Sequence, residues 1–506
     1  MNKNSQVVNV IFFTLQIAAS IVLLWAIFQA AFLPELYKVI IGGGVILLAV
    51  FSTFLLLKRV AKKFTAILRV FYVFVLALTV GAVGIMIPLT DKRVKGMVRD
   101  QPNEGDLLID VVVLKGKTIN DKSDLLNGTM AVQTTLDQEN QEYAITFINS
   151  DLNGEVKIAN YDGFEDAIAA LYAGEVDFLL INETYITIMN EELDDIYEEL
   201  DEELEIVYQV KRIIAFDNVV SDANVTEKPF NILVIGQNQR KNKVSDRTNT
   251  DVILLVTINP KTKQVLLTSL PRDSFVPVPY SSMKDKLTHA GIYGATMTVK
   301  TVQNYMGVKI DFFIRVNYIS LINLVNAVGG ITVDNPSTFK AVYPKYKYKF
   351  EKGKVELNGA AALAYVRERK KLKDGDMGRN EHQRIVLEAL VKKVSSPSML
   401  INFNKIMQGV SGNYLTNVTT EQIYSIVKMQ LADLASWNIL QQGLDGSTGG
   451  DYVASLYSYK KPPEQNNKYS VVYIYAGDLK KAKANIAAVT QGKILTKEDV
   501  KLPSHK

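Results

Sequence analysis

The 506-residue chain contains no cysteine. That absence excludes disulfides, thiolate metal sites and cysteine nucleophiles together. Excess charge is also missing: 57 Lys and Arg stand against 53 Asp and Glu, and the formal net charge of +4 implies no strongly basic face for nucleic acid. Nor is there a helix-turn-helix pattern or a concentrated basic recognition helix, so nucleic acid is not expected as a partner. At roughly 100–200 residues per domain, the length accommodates about three parts.

Long apolar runs, in contrast, are plentiful at the start. Residues 7–33, 37–57 and 66–89 each approach the roughly 20 residues needed to cross a hydrocarbon core. A cleavable signal peptide would not be followed by two further runs of full length. The loop between the second and third runs holds Lys58, Arg59, Lys62 and Lys63, whereas the loop between the first and second holds Glu35 and Lys38. The positive-inside tendency therefore puts the N-terminus in the cytoplasm and everything after Leu89 outside, in a multi-pass membrane protein. A basic stretch at 91–99 runs against this orientation, but charge ahead of a long translocated part weighs less than charge in a short loop.

The chain divides by pattern into a transmembrane region (1–95), a small α/β unit (105–222), a larger α/β unit (228–495) and a mobile lysine-rich tail (496–506). In the small unit, strand-like runs at 107–114, 143–148 and 177–181 accompany a helical pattern at 163–173. The stretch 161–177 looks like part of a solute-binding lobe. An acidic segment at 191–205 carries Leu193, Ile196, Leu200 and Leu204 at helical spacing and reads as a solvated amphipathic helix. In the larger unit, FNILVIG at 230–236 reads as a buried strand, and the run 250–276 as two strands joined by a turn at 259–263. Asp251 enters that hairpin and Arg272 leaves it, so an antiparallel pairing brings the two to one edge.

Three motifs carry arginines at fixed spacing: LPRD at 270–273, YVRERK at 365–370 and GDMGRN at 375–380. Guanidinium suits phosphate because its planar fork donates two parallel hydrogen bonds and keeps its charge at any relevant pH. On an extended segment, Arg367 and Arg369 would share a face while Glu368 points away. Arg379 opens a stretch with Val386, Leu390 and Val394 at helical spacing, and a helix starting there adds its positive N-terminal end to the arginines. Gathered outside a membrane, such groups point to phosphate carried on a lipid.

NILVIG, TDVILLVTINPKTKQVLLTSLPRD, KLTHAGIYG, NLVNAVGGITVDNP, LNGAAALAYVRERK and GDMGRNEHQR, in that order, resemble the LytR-CpsA-Psr (LCP) family, and most of all its capsule-type branch, which also has several membrane helices and an accessory domain. The resemblance implies an α/β/α catalytic domain with a central mixed sheet behind a membrane anchor and a small α/β accessory domain. It implies an extracytoplasmic phosphotransferase that moves a glycopolymer (capsular polysaccharide, teichoic acid or similar) from a polyprenyl, undecaprenyl-type diphosphate carrier to a peptidoglycan hydroxyl through a phosphodiester, with Mg²⁺ or a similar divalent cation. By position, Arg272, Arg367, Arg369 and Arg379 match the family's diphosphate-binding arginines, and Asp251 matches an acidic residue tied to metal and catalysis. Asp251 is open to two roles, holding the metal or helping to deprotonate the attacking hydroxyl. Lys286 and His289 lie in the matching KLTHA segment; Lys286 joins the diphosphate set, and Arg247, Arg240, His289 and Asp273 are further candidates. An apolar cavity for the lipid tail would draw on 312–316 and 321–328.

Two departures stand out. Gly236-Gln237-Asn238 replaces the usual Gly-x-Asp, leaving Asn238 as an uncharged metal ligand beside Asp251, and Asn249 replaces an arginine two residues before Asp251, with Arg247 two further back. Both changes weaken metal and diphosphate binding. The alternative reading is a non-catalytic scaffold or regulator of envelope polymer assembly that binds carrier lipid or wall polymer; an older view of the family as transcriptional attenuators conflicts with the topology.

Overall fold

The computed structural model describes residues 3–58, 63–97, 104–192, 200–215, 221–237, 247–341, 348–396, 406, 414–456 and 468–503. It opens with three long helices, α1 (Lys3–Gln29), α2 (Glu35–Leu57) and α3 (Lys63–Met97). Their apolar stretches Val7–Gln29, Glu35–Leu57 and Phe64–Leu89 are long enough to cross a membrane. α3 continues past the apolar run to Met97, so the basic stretch that starts at 91 begins as helix. α1 and α3 approach closely at Gly84, where a Cβ would lie 2.9 Å from the Leu23 nitrogen. Small residues permit that contact where apolar lipid supplies no hydrophobic drive.

The next unit is a five-stranded sheet in the order β3-β2-β4-β1-β5, formed by β1 (Glu104–Leu114), β2 (Thr129–Gln133), β3 (Lys157–Tyr161), β4 (Phe178–Asn182) and β5 (Leu204–Ala215). Helices α4 (Gln138–Leu152), α5 (Phe164–Tyr172), α6 (Glu183–Glu192) and the single turn α7 (Leu200–Glu203) accompany it. The strand expected at 143–148 is the middle of α4. Gln141, Ala144 and Ile148 are its buried positions, a helical spacing that a six-residue window does not reveal. The helix expected over 191–205 is also corrected: Leu204 already belongs to β5, and 193–199 lie outside the described residues.

The larger unit contains β6 (Phe230–Gln237), β7 (Thr250–Asn259), β8 (Gln264–Leu270), β9 (Phe275–Pro277), β10 (Lys284–Lys286), β11 (Phe312–Val316), β12 (Ile331–Asn335), β13 (Phe339–Ala341), β14 (Tyr348–Phe350), β15 (Gly353–Leu357), β16 (Tyr414–Thr416), β17 (Asn438–Gly443), β18 (Gly446–Asp451) and β19 (Tyr469–Ile474). Its helices are α8 (Ala295–Met306), α9 (Tyr318–Ala327), α10 (Gly359–Arg367), α11 (Gly375–Val394), α12 (Thr420–Asp433) and α13 (Ala476–Thr490). The central sheet is mixed, in the order β16-β11-β6-β7-β8-β17. One face packs on α8 and α13 through Val299, Val302, Ala482 and Ile486. The other meets Leu387 and Val391 of α11. The unit is therefore a three-layer α/β/α sandwich, as two-sided burial of its nearly continuous apolar strands requires.

The tail expected to be mobile from Thr496 is in place as far as it is described. Thr496 and Asp499 bond each other, and Leu495 and Val500 are buried in the core beside α13. Those two apolar side chains hold a segment whose lysines alone suggested freedom.

Candidate functional site

The central sheet gathers four strand C-termini and the starts of β7 and β16 at a single edge. β6 and β11 run parallel, as do β8 and β17, while β7 is antiparallel to both β6 and β8. The ends of β6, β8, β11 and β17 thus lie beside the beginning of β7. Ligands of open α/β sheets bind at such carboxyl ends.

Asp251 and Arg272 meet there. Ile253 pairs with Leu270, and two residues beyond each, Arg272 Nη1 donates to Asp251 Oδ1 at 2.6 Å, with both side chains 12% exposed. Ser274 Oγ donates to the Pro271 carbonyl and Thr288 N to the Arg272 carbonyl, fixing the LPRD turn. Across the edge, Asn317 and Ser320 form a capping box that starts α9. Tyr318, the first residue of that helix, donates its hydroxyl to Asp251 Oδ2 at 3.4 Å. The Arg367 guanidinium lies over the Tyr318 ring, 4.2 Å from its centre. Asp251, Arg272, Tyr318 and Arg367 therefore form one connected set.

The YVRERK segment is not extended. Arg367 closes α10, and Glu368 turns the chain by accepting from the Arg369 and Lys371 backbone nitrogens at 3.1 and 2.9 Å. Arg369 is exposed. The apolar stretch 359–366 ahead of Arg367 extends helix formation through the motif, overriding the expected alternation. α11 likewise starts earlier than expected, at Gly375, so Arg379 sits one turn inside it and pairs with Asp376 at 2.5 Å.

Lys286 and His289 belong elsewhere. Lys286 is buried, and its Nζ bonds both carboxylate oxygens of Glu192, at 2.6 Å to Oε2. His289 is fully buried; its Nδ1 lies 2.8 Å from Asp285 Oδ1 and 2.6 Å from Ser455 Oγ, and its Nε2 is 3.5 Å from Glu192 Oε1. Burial opposes charge on the imidazole, but Asp285 and Glu192 raise its pKa to about 9. Burial would likewise raise Glu192, yet His289 and Lys286 lower its pKa to about 2. Tyr185 joins the junction through a 2.9 Å bond to Tyr293, whose ring stacks on Tyr280. Glu192 and Tyr185 both come from α6, so the cluster ties the first α/β unit to the second. The apolar surface is continuous across the same junction, from Phe164 and Ile168 to Ile292, Val453 and Val471.

Arg247 is near Asp137 and Tyr293, and its charge acts on both groups. Asp273 sits beside Arg272, Oδ1 to Nε 3.7 Å. Asn238 and Arg240 lie outside the described residues.

Two arginines escaped the sequence reading. Arg315, in the middle of β11, is fully buried and donates to the Thr248 carbonyl at 2.8 Å and the Gly291 carbonyl at 3.3 Å. It thus anchors the segment that leads into Asp251. Its signal was an arginine within the apolar run FFIRV. Arg384 of α11 donates to Ser269 Oγ and lies against Gly443, at the ends of β8 and β17. Burial lowers its pKa to about 10, leaving it cationic at neutral pH.

Among the described residues, no group of three or more His, Asp or Glu could by itself hold a metal ion. Asp251 is a single carboxylate at this edge, and a hard cation resting on it would draw its remaining oxygens from phosphate and water.

An α/β/α sandwich with a carboxylate and two guanidinium groups at its carboxyl edge, preceded by helices long and apolar enough to cross a membrane, defines a membrane-anchored α/β/α protein. The chain belongs to the LytR-CpsA-Psr family, whose sequence profile matches residues 190–471. It is similar to the polyisoprenyl-teichoic acid–peptidoglycan teichoic acid transferase TagU of Bacillus licheniformis, with 35% identity over 233 residues, 46% of this chain and 72% of that protein. TagU of Enterococcus faecalis is 34% identical over 247 residues, 48% of this chain and 78% of the other. Among solved structures, TagV of B. subtilis shares 27% identity with a TM-score of 0.43, covering 53% of this chain and 99% of that one.

Proposed function

We propose that this protein transfers a glycopolymer from a polyprenyl diphosphate, of undecaprenyl type, to a peptidoglycan hydroxyl on the outer side of the membrane. The observation that carries the reading is the Asp251–Arg272 pair with Arg367 stacked on Tyr318 at the sheet's carboxyl edge. The names of the TagU relatives support the substrate class. Phosphoryl transfer is largely positioning and charge stabilisation, which guanidinium groups supply without a covalent nucleophile.

Arg272 and Arg367 bind and orient the diphosphate, and Arg379 and Arg369 add positive charge from the neighbouring segments. The acceptor oxygen bonds to the phosphorus that bears the polymer as the bond to the polyprenyl phosphate oxygen breaks, and the hydroxyl proton leaves to solvent. Asp251 would hold Mg²⁺, which when bound neutralises diphosphate charge. The lipid tail would lie along α9, where Leu321, Ile322 and Leu324 remain only partly buried against an apolar cluster.

The orientation is part of the proposal. Phe32, in the turn after α1, contacts Tyr424 of α12 at 6.4 Å between ring centres, consistent with that turn and the large unit sharing one side of the membrane. Together with the basic loop between α2 and α3, this supports an outside position for the large unit. The test is turnover by the full chain in detergent, given a polyprenyl diphosphate disaccharide and peptidoglycan. Release of polyprenyl phosphate with the disaccharide phosphate attached to the wall supports the reading; binding of the donor without release would instead assign the scaffold role.

A further inference from the structure

A cleft of about 460 Å³ lies beside the arginine site and is absent from the reading above. Its walls come from β9, β10, α8, β19 and α13, and include Phe275, Tyr305 and Tyr473. Phe275 is three residues beyond Arg272, so the chain between them spans at most about 10 Å. The Asp273 carbonyl accepts from Val472 N at 2.8 Å, which fixes Tyr473 directly alongside. The cleft therefore begins where the LPRD turn ends.

Its chemistry is selective. Phe275 and Tyr473 meet edge to face at 5.8 Å, and two ammonium groups stand over the rings: Lys284 Nζ is 5.6 Å from the Phe275 centre and Lys483 Nζ is 5.9 Å from that of Tyr305. No carboxylate is among the lining residues. Asp451, on the neighbouring β18, accepts the Tyr473 hydroxyl at 2.8 Å, and Asp478 of α13 is buried. Asp285, between Lys284 and Lys286, is buried on the opposite side, facing His289 and Tyr280. Tyr473 remains 37% exposed, so its ring is not spent on core packing. Aromatic walls with two cations from different elements suit a flexible chain that alternates apolar faces with negative charges.

We propose that this cleft binds a stretch of the donor's own polymer, a polyol or sugar chain linked by phosphodiesters, immediately beyond the transferred phosphate. The assignment rests on the proposed function for its biological role, whereas the binding chemistry stands on the cleft alone. Lys284 and Lys483 bind phosphodiester charges, and Tyr305 and Tyr473 pack against the carbon skeleton between them.

The experiment measures binding to the full chain in detergent micelles, by calorimetry, with a short poly(glycerol phosphate) oligomer and with a neutral dextran of equal length. The oligomer carries no diphosphate, so the measurement is independent of whether the protein performs transfer. The expected result is saturable oligomer binding that weakens with salt, dextran binding at least about tenfold weaker, and a loss of at least about tenfold in the Lys284→Ala/Lys483→Ala variant. Lys284→Arg/Lys483→Arg should restore binding, and Lys284→Glu/Lys483→Glu should abolish it, with unchanged thermal midpoints showing that the fold is intact. Oligomer affinity changed by less than about tenfold in the alanine variant, or dextran bound within about tenfold of the oligomer, overturns the proposal. Wild-type transfer without oligomer binding would overturn the cleft assignment and leave the main reading standing.

Discussion

Replacing Glu192 with Gln removes one charge from the buried cluster that joins the two α/β units. Lys286 and His289 then lose a carboxylate whose side chain is 7% exposed, while their own exposures are 5% and 0%. Breaking a buried pair by removing one partner costs about 3–5 kcal/mol, because the remaining charge is left without compensation. A second route gives a similar size. His289 is raised from 6.5 to about 9, so its protonation is linked to roughly 3 kcal/mol, shared between Asp285 and Glu192. The signs are definite. The histidine contribution is complete below its unfolded pKa of 6.5 and disappears as pH rises through about 9. The Glu192 contribution is complete above 4.5 and disappears as pH falls through about 2. Both are near full strength between these limits. Thermal unfolding of the full chain in detergent should therefore show Glu192→Gln lowering the midpoint near neutral pH by on the order of 10 °C. The variant should also begin its alkaline loss of stability at lower pH than the wild type. Midpoints within about 2 °C of each other, with superimposable pH profiles, would refute the proposed linkage between the units.

Gly291→Ala should destabilise the entrance to β7, because a Cβ would lie 2.4 Å from the Thr248 carbonyl oxygen and 2.3 Å from Thr250 Oγ1; we expect a loss of about 2–4 kcal/mol in chemical unfolding. Arg315→Met should reduce transfer more than it reduces donor binding, because it releases the segment leading to Asp251 while leaving Arg272 and Arg367 in place; a kcat and KM comparison separates the effects. Asp137, whose pKa burial raises to about 6, costs stability as pH rises from 3.8 through about 6, so Asp137→Asn should stabilise the protein near neutrality by up to about 3 kcal/mol and remove that slope from the stability profile.

The hairpin and its consequence were readable because they depend on local rules. Continuous apolar runs gave β6, β7 and β8, the 259–263 turn gave their antiparallel order, and that order alone brought Asp251 to Arg272. Tyr318 was different. Its contribution depends on β11 lying parallel to β6, a pairing set by residues far apart in sequence, so the ring between Asp251 and Arg367 had no local signature. Lys286 shows the opposite error. The motif identified a cation, but its partner Glu192 lies 94 positions earlier in another unit, and no periodicity reveals that encounter. α4 was misread because YAITFI, taken alone, resembles a strand, whereas the buried positions spread over the full helix follow its turn.

The account depends on guanidinium groups at one sheet edge handling a lipid-borne diphosphate. Its most direct test is the rate at which the full chain attaches polymer to peptidoglycan from a polyprenyl diphosphate donor, compared between wild type and Arg272→Ala. The account predicts a loss of at least about a hundredfold in kcat/KM, with both proteins assayed well below their own thermal midpoints, because one preorganised donor to developing charge is worth about that much. Transfer by Arg272→Ala at the wild-type rate would contradict it.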